Sequence, residues 1–317
     1  MDGRAAPGMD HAGVIRSEVG AACGRGAPLV ALSGGLDSTI VACMLPGRPD
    51  AVAVVSEDFV SSDLAYCQIA ARGAGLRLEI VRASTSEMLD AAGSVVRALG
   101  RFGEIEVRNG IVMQIAASWA ARAGHAEMAT GDGADELFAG YGFMERMPEG
   151  ELDAEVRRVA SSMGHTSVLL GEELGVRVWS PFLERRVIDA AMRVPASLKV
   201  REVGGRRVGK WILRKAFEGT VPAAIAWRPK SPMQDGAGTS GLAGLIEALM
   251  AGSEFEERRR EALERDGVLL RSRESAYYYS LYRRYCPMHE KAEGGCKFCG
   301  ADAGGKRYCR TCGAYPI

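Results

Sequence analysis

Short apolar runs alternate with longer amphipathic stretches over the first 145 residues of the chain. Apolar or alternating runs bounded by turn residues predict strands at 28–33, 51–56, 76–81 and 127–130. Helical spacing predicts helices at 8–24, 38–45, 61–72, 84–100 and 109–123. Strands that alternate with helices in this way are typical of βαβ units, so we predict an α/β fold with a doubly wound parallel sheet.

The pattern changes in the second half of the chain. From about Glu145 to Tyr285 the spacing is helical, with charged faces and few strand signals. After Tyr285 the chain is short of apolar residues and rich in cysteine. We therefore predict four segments: an N-terminal helical extension (1–27), an α/β domain (28–145), a helical part (146–285) and a small C-terminal unit (286–317).

A glycine turn follows the first predicted strand directly, in the sequence Ser33-Gly34-Gly35-Leu36-Asp37-Ser38. Backbone N–H groups in such a turn, at the start of a helix, form an anion site. The carboxylate of Asp37 would repel a phosphate unless a cation lay between them, so we predict a complex of Mg²⁺ with a polyphosphate. The turn has no lysine, which excludes a Walker A loop.

A second glycine turn follows the fourth predicted strand, at 130–141. Its acidic residues are Asp132, Asp135 and Glu136, three within five positions. Because parallel strands present their carboxyl ends at the same edge of a sheet, we expect the two turns to face one site. Asp135 would then complete the Mg²⁺ site with Asp37.

These turns resemble those of a known enzyme family. Residues 33–38 resemble the pyrophosphate-binding loop of the N-type ATP pyrophosphatases, and 131–141 resemble the signature of the asparagine synthetase domain, which β-lactam synthetases share. Further segments similar to that domain lie at 61–64, 181–199, 210–217 and 221–236, so the resemblance covers about residues 28–240 in unbroken order. It implies a sheet of the adenine nucleotide α-hydrolase type.

The resemblance also implies an ATP-dependent, AMP-forming amide ligase. A substrate carboxylate, from aspartate or a related acid, would form an acyl-adenylate with release of pyrophosphate, and ammonia or another amine would then attack it. Lys230 is the first candidate for the fixed cation at the α-phosphate, Lys210 the second, and Asp132 would lie near the acyl group. The residues implied to contact ATP are Leu32, Ser33, Gly34, Gly35, Leu36, Asp37, Ser38, Ser56, Arg108, Gly131 and Gly133.

Two features depart from the family pattern. The pyrophosphate loop begins at Ser33 and position 2 is Asp, so we expect no glutaminase domain before it; ammonia would be free or come from a separate glutaminase. Asp132 stands where asparagine synthetases usually carry Glu, and Glu184 where they carry Asp. The shorter Asp132 side chain leaves the identity of the acid open.

Five of the eight cysteines lie after residue 285. Two C-x-x-C-G knuckles, Cys296/Cys299 and Cys309/Cys312, predict a zinc ribbon with four thiolates around a structural Zn²⁺. Cys286 and His289 form a possible third pair of ligands. We expect this ribbon to dock a partner or carrier protein, or to present the substrate.

Composition and charge bear on the partners and the location of the protein. The 40 Lys and Arg residues balance the 40 Asp and Glu residues, so nothing global favours nucleic acid or an anionic membrane. The N-terminus is not that of a signal peptide, and no apolar run approaches the ~20 residues of a membrane span, so a cytoplasmic protein is expected.

Two alternative functions remain: a tRNA thiolase that uses the ribbon for docking, and a non-catalytic adaptor. Cys23, Cys43 and Cys67 form no C-x-x-C pair, which disfavours thiolation.

Overall fold

A computed structural model describes residues 10–161, 163, 166–304 and 307–317 of the chain. A five-stranded parallel sheet lies at its centre. The strands are β1 (Leu29–Ala31), β2 (Asp50–Ser56), β3 (Leu78–Ala83), β4 (Glu127–Ala129) and β5 (Arg177–Trp179). Their order is β3-β2-β1-β4-β5, and each neighbouring pair is parallel. The direction of winding reverses between β1 and β4, where ligands bind in sheets of this kind. The predicted α/β fold is confirmed.

The helices of the first half agree with the prediction to within three residues, except at the start of α5. They are α1 (His11–Cys23), α2 (Leu36–Met44), α3 (Leu64–Ala74), α4 (Thr85–Leu99) and α5 (Glu104–Arg122). The start of α5 lies five residues before the predicted start at 109, because its first turn carries Glu104 and Glu106, which suit a helix N-terminus but carry no apolar signal. Residues 1–9, part of the predicted N-terminal extension, lie outside the described residues.

The second half is mostly helical but contributes more strands than its pattern predicted. Its helices are α6 (Ala134–Leu137), α7 (Gly142–Glu145), α8 (Glu149–Ala160), α9 (Thr166–Glu173), a 3₁₀ turn at Pro181–Leu183, α10 (Arg185–Met192), α11 (Ala196–Lys199), α12 (Trp211–Ala216), α13 (Ala223–Ala226), α14 (Met233–Ala237), α15 (Gly241–Leu249), α16 (Gly252–Asp266) and α17 (Arg273–Tyr285). Strand β5 joins the central sheet beside β4, so the segment predicted as mainly helical contributes a strand to the sheet of the first half.

A hairpin in the second half was also missed. Strands β6 (Arg201–Val203) and β7 (Arg206–Val208) are antiparallel. Gly204 and Gly205 between them have φ of +59° and +75°. Two left-handed residues form the turn that best suits a two-residue hairpin, and the Gly-Gly pair was the signal that could have predicted it.

Separate cores cover the two faces of the sheet. Leu29, Val52 and Met128 belong to a core built with α4, α5 and α17, whereas their neighbours Val30 and Ala51 pack with α1, α2 and α3. Side chains alternate between the faces of a strand, so each strand supplies both cores. The predicted double winding is therefore confirmed.

The C-terminal unit packs against the beginning of α5. The ring of Phe102 lies 5.2 Å from the rings of both Tyr279 and Tyr282 on α17, and its backbone N–H donates to the carbonyl of Thr311 at 2.8 Å. A Cβ on Gly103 would lie 2.8 Å from the backbone nitrogen of Gly313. The tail is thus held directly beside the central domain.

None of the helices in the described residues has both the length and the apolar composition needed to cross a membrane.

Candidate active site

A cavity of about 640 Å³ opens at the carboxyl ends of β1 and β4. Both glycine turns line it, with α5, α9, the start of α12 and the segment at 228–234. Cavities of this size are typical of small-molecule sites. The sequence-predicted residues on its wall are Leu32, Ser33, Gly35, Leu36, Asp37, Ser38, Gly131, Asp132, Gly133, Asp135, Lys210 and Lys230.

The first turn has the geometry of an anion loop. Gly34 has φ of +67°, and a Cβ there would lie 2.6 Å from the backbone nitrogen of Cys67, so only glycine suits this position. The hydroxyls of Ser33 and Ser38 lie 3.0 Å apart. No side chain caps the N-terminus of α2. Its first backbone N–H groups can therefore bind a phosphate.

Gly131 allows the two turns to touch. A Cβ at this position would lie 2.7 Å from the backbone nitrogen of Ser38 and 2.8 Å from Cβ of Asp37. The glycine of the second turn is therefore needed for direct contact with the first turn.

Replacing Gly131 with alanine is expected to destabilise the protein by about 1–3 kcal/mol, the usual cost of overpacking. It should also weaken ATP binding, because the added Cβ would push the two turns apart. Gly150 on α8 is the matched control, since a Cβ there meets nothing within 4 Å. Denaturant unfolding and nucleotide titration of both variants measure the effects; equal stability of Gly131→Ala and Gly150→Ala would contradict this packing.

Two lysines and two aspartates form an ion-pair network on the cavity wall. The ammonium of Lys210 pairs with Asp37 and, at 2.6 Å, with Oδ1 of Asp135; Lys230 pairs with the other oxygen of Asp135. Lys210 is buried, whereas the side chain of Lys230 is 35% exposed. The network joins the two turns, and Lys230 is its accessible end.

Burial and charge act in opposite directions within this network. Burial lowers the pKa of Lys210, but the carboxylates of Asp135 and Asp37 outweigh it and raise that pKa above its usual value. Burial raises the pKa of Asp135, but Lys210 and Lys230 outweigh it and hold that pKa below the usual range. Both groups are therefore charged at neutral pH.

The carboxylates of the network fit a divalent cation. Oδ1 of Asp37 is buried and has no hydrogen-bond partner in the part of the chain that the structure describes. Carboxylate oxygens are the protein ligands that Mg²⁺ prefers. Asp37, with Asp135 beside it, can therefore hold Mg²⁺ next to the anion loop.

Asp132 lies on the same wall and is fixed by two serines. The Ser167 hydroxyl on α9 donates to its carboxylate, and the Ser180 hydroxyl donates to its carbonyl at 2.7 Å. Burial raises the pKa of Asp132, and the hydrogen bonds from Ser167 and Thr130 only partly offset this. Sequence reasoning missed Ser167, because it reaches Asp132 only through the packing of α9.

Arg228 was also missed as a site residue. Its guanidinium lies 2.5 Å from Asp63, donates to the carbonyl of Gly34 at 3.2 Å and stacks over the ring of Tyr66. It therefore ties the loop that carries Lys230 to the anion loop. The available signal was its place in the Trp-Arg-Pro-Lys segment at 227–230.

The structure does not bring Ser56 or Arg108 to the cavity wall, and Gly34 shapes the first turn without lining the cavity. The Ser56 hydroxyl accepts from the backbone N–H groups of Asp58 and Phe59, at 3.1 and 3.0 Å. The Arg108 guanidinium faces Glu274 on α17, with Nε 3.6 Å from Oε1. Helix α5 turns this side chain toward α17, a long-range contact that the resemblance could not indicate.

The two knuckles of the tail meet in a buried cluster. The sulfurs of Cys296, Cys299, Cys309 and Cys312 all lie within 4.8 Å of one another, and the Cys296–Cys312 and Cys299–Cys309 pairs are 3.7 and 3.6 Å apart. A tetrahedral Zn²⁺ with Zn–S bonds of about 2.3 Å needs sulfurs about 3.8 Å apart. The cluster is therefore compatible with a structural zinc ion.

Cys286 and His289 do not join this cluster among the described residues. The ring nitrogens of His289 lie 3.2 Å from the Tyr282 hydroxyl and 2.9 Å from the carbonyl of Cys299. The Cys286 thiol faces the carbonyl of Val96. The structure thus gives His289 the role of supporting the backbone of a knuckle, and does not support a third ligand pair.

Cys296→Ser is expected to lose most of the bound zinc and to unfold at a lower temperature, because metal binding supplies folding energy to a unit with few apolar residues. Cys286→Ser is the matched control on the same tail and should keep its zinc. Metal analysis and thermal unfolding test this; equal zinc content in the two variants would contradict the four-cysteine site.

The comparisons with known proteins agree on one family. A model described as asparagine synthase matches residues 27–172 and 170–284. The chain is 28% identical over 296 residues to a probable glutamine-hydrolysing asparagine synthetase of Dictyostelium discoideum, an alignment that covers 83% of this chain and 52% of that protein. It is 26% identical over 284 residues to asparagine synthetase B of Escherichia coli, an alignment that covers 83% of this chain and 51% of that protein. The chain thus spans about half the length of these relatives.

Proposed function

The chain belongs to the asparagine synthase family, and on that premise we propose that it is an ATP-dependent, AMP-forming amide ligase. Its substrates are ATP, a carboxylic acid such as aspartate or a related acid, and ammonia. A cytoplasmic location stays a prediction from the sequence.

The observation that carries this proposal is the network of Lys210, Lys230, Asp37 and Asp135 at the anion loop. It combines carboxylates for a divalent cation with an accessible ammonium group on one wall of a cavity. Cleavage of ATP between its α- and β-phosphates needs both, because negative charge develops on the pyrophosphate and around the α-phosphorus.

In the first step an oxygen of the acid attacks the α-phosphorus, the bond from that phosphorus to the bridging oxygen breaks, and pyrophosphate leaves with the bond electrons. Ser33–Ser38 bind the pyrophosphate, and Lys230 stabilises the charge around the α-phosphate. Mg²⁺, held by Asp37 and Asp135, would supply further neutralisation of the leaving group.

In the second step ammonia attacks the acyl carbon. AMP leaves with the bond electrons, and the amide nitrogen loses its extra proton. Asp132 lies on the cavity wall with its carboxylate held by Ser167. Burial raises the pKa of this carboxyl, and in its ionised form it can accept the proton that the amide nitrogen loses.

The structure disfavours the thiolation alternative. Cys67 lies on the cavity wall, but burial raises its pKa to about 12, and its thiol donates to the carbonyl of Leu32. A reactive cysteine must be a thiolate near neutral pH. Cys67 instead behaves as a small core residue.

A single assay distinguishes the candidates. The purified protein is incubated with ATP, Mg²⁺ and ammonium, with a panel of carboxylic acids or with tRNA, while AMP and pyrophosphate are measured. Acid-dependent release of both products is expected. Release only with tRNA would favour thiolation, and no turnover, with Asp37→Ala indistinguishable from the wild type in ATP binding, would favour an adaptor.

A further inference from the structure

The zinc ribbon (286–317) reaches the cavity that holds the proposed site. Tyr308 and Arg310, on either side of Cys309 in the second knuckle, line this cavity together with Glu106, Thr166 and Ser167. The hydrogen bond from Phe102 to Thr311 and the contact of Gly103 with Gly313 hold this knuckle in place. The ribbon therefore contributes to the wall of the cavity.

Arg310 differs from the other cationic side chains of the cavity. The others have partners: Lys210 with Asp37 and Asp135, Lys230 with Asp135, Arg228 with Asp63, and Arg214 with the carbonyls of Gly209, Ala226 and Arg228. Arg310 is partly buried and has no ion pair or hydrogen bond within the described ranges. A partly buried guanidinium on a cavity wall without a counter-charge indicates an anionic ligand.

The acidic residues at this end of the cavity are already used. Glu106 pairs with Arg101 at 2.6 Å and accepts from Thr166 at 3.0 Å. Glu104, in the same turn of α5, pairs with Arg271 at 2.9 Å. Arg310 is therefore not required to balance the charge of the first turn of α5.

We propose that Arg310 binds a second carboxylate of the acyl substrate, so that the ribbon selects a dicarboxylic acid. The inference rests on the proposed function. The anion loop and Lys230 provide for the phosphates of ATP, which leaves Arg310 for the other substrate. A guanidinium suits this role because it binds a carboxylate through two parallel hydrogen bonds.

The test uses pairs of acids that differ only in the second carboxylate: L-aspartate with β-alanine, and L-glutamate with 4-aminobutyrate. Their binding is measured by calorimetry in the presence of Mg²⁺ and an unreactive ATP analogue, and their turnover by release of pyrophosphate. The wild type should prefer the dicarboxylic member of at least one pair. In Arg310→Gln this preference should fall about 10- to 100-fold, the loss expected for a charge-assisted bidentate contact, with unchanged affinity for the nucleotide.

Two variants separate recognition from damage to the ribbon. Arg307→Gln removes an arginine of the same ribbon whose guanidinium packs on Tyr315, and it should keep the wild-type preference. Arg310→Lys keeps the charge and should restore part of the preference. The inference would be overturned if Arg310→Gln kept the wild-type preference, or if the wild type used both members of each pair equally. Either result would leave the proposed function standing. If no acid supports release of AMP and pyrophosphate, the proposed function fails and the inference falls with it.

Discussion

Lys230→Met is expected to lower kcat for acid-dependent pyrophosphate release by about 10²- to 10³-fold, the usual effect of removing one preorganised group that stabilises the transition state. Lys230 reaches the cavity from the loop after Pro229 and pairs with Asp135. Because its side chain is 35% exposed, folding depends little on it, and the temperature of unfolding should change little. Steady-state kinetics and thermal unfolding of the same preparation separate the two effects.

Lys215→Met is the matched control for this prediction. Lys215 is also a lysine paired with one carboxylate, that of Glu218, and its side chain is 38% exposed. It lies outside the cavity lining, so its replacement should leave kcat unchanged. If Lys230→Met retained kcat within about twofold, a loss of less than 1 kcal/mol, Lys230 would have no role in transition-state stabilisation.

Lys210→Met is expected to act chiefly on folding. Lys210 is buried between Asp37 and Asp135, and removing one partner of a buried ion pair costs about 3–5 kcal/mol because the remaining charge stays unpaired. Denaturant unfolding measures this loss. A free energy of unfolding equal to that of Lys230→Met would show that burial does not distinguish the two lysines.

The pH dependence of this ion pair has a definite sign. The pKa of Lys210 is raised in the folded protein, so its contribution to stability is present below about pH 10 and is lost as the pH rises through the folded value. The pKa of Asp135 is lowered, so its contribution is present above about pH 4 and is lost as the pH falls through the folded value. The stability difference between the wild type and Lys210→Met should therefore be largest between these limits.

The anion loop was predictable because its signal is local. Ser33–Ser38 need only a strand before them and a helix after them, and the apolar run at 28–33 predicts the strand. The same holds for the second turn after β4. Parallel strands then bring both turns to one edge of the sheet without further information.

Long-range packing explains what the sequence did not predict. Strand β5 has only three residues, too few for a periodic signal, and it is stabilised by pairing with β4. Arg108 faces α17 because of how α5 packs, and Ser167 reaches Asp132 only in the folded chain.

In the ribbon, too, the sequence predicts the local features but not the long-range contacts. The spacing of its cysteines predicts the four-sulfur cluster, since ligand spacing is local. Nothing in the sequence of the tail predicts that it packs beside Phe102, or that Arg310 lines the cavity. The unit that we expected to dock a partner or to present the substrate contributes Tyr308 and Arg310 to the cavity wall.

The most direct test of the proposed function follows oxygen from the acid to AMP. The acid with the highest rate in the panel is labelled with ¹⁸O in its carboxylates and incubated with ATP, Mg²⁺, ammonium and the wild-type protein, and AMP is analysed by mass spectrometry. Attack of the carboxylate on the α-phosphorus predicts that each AMP carries one ¹⁸O atom and that pyrophosphate carries none. Unlabelled AMP, or ADP and phosphate as the products, would contradict an acyl-adenylate mechanism.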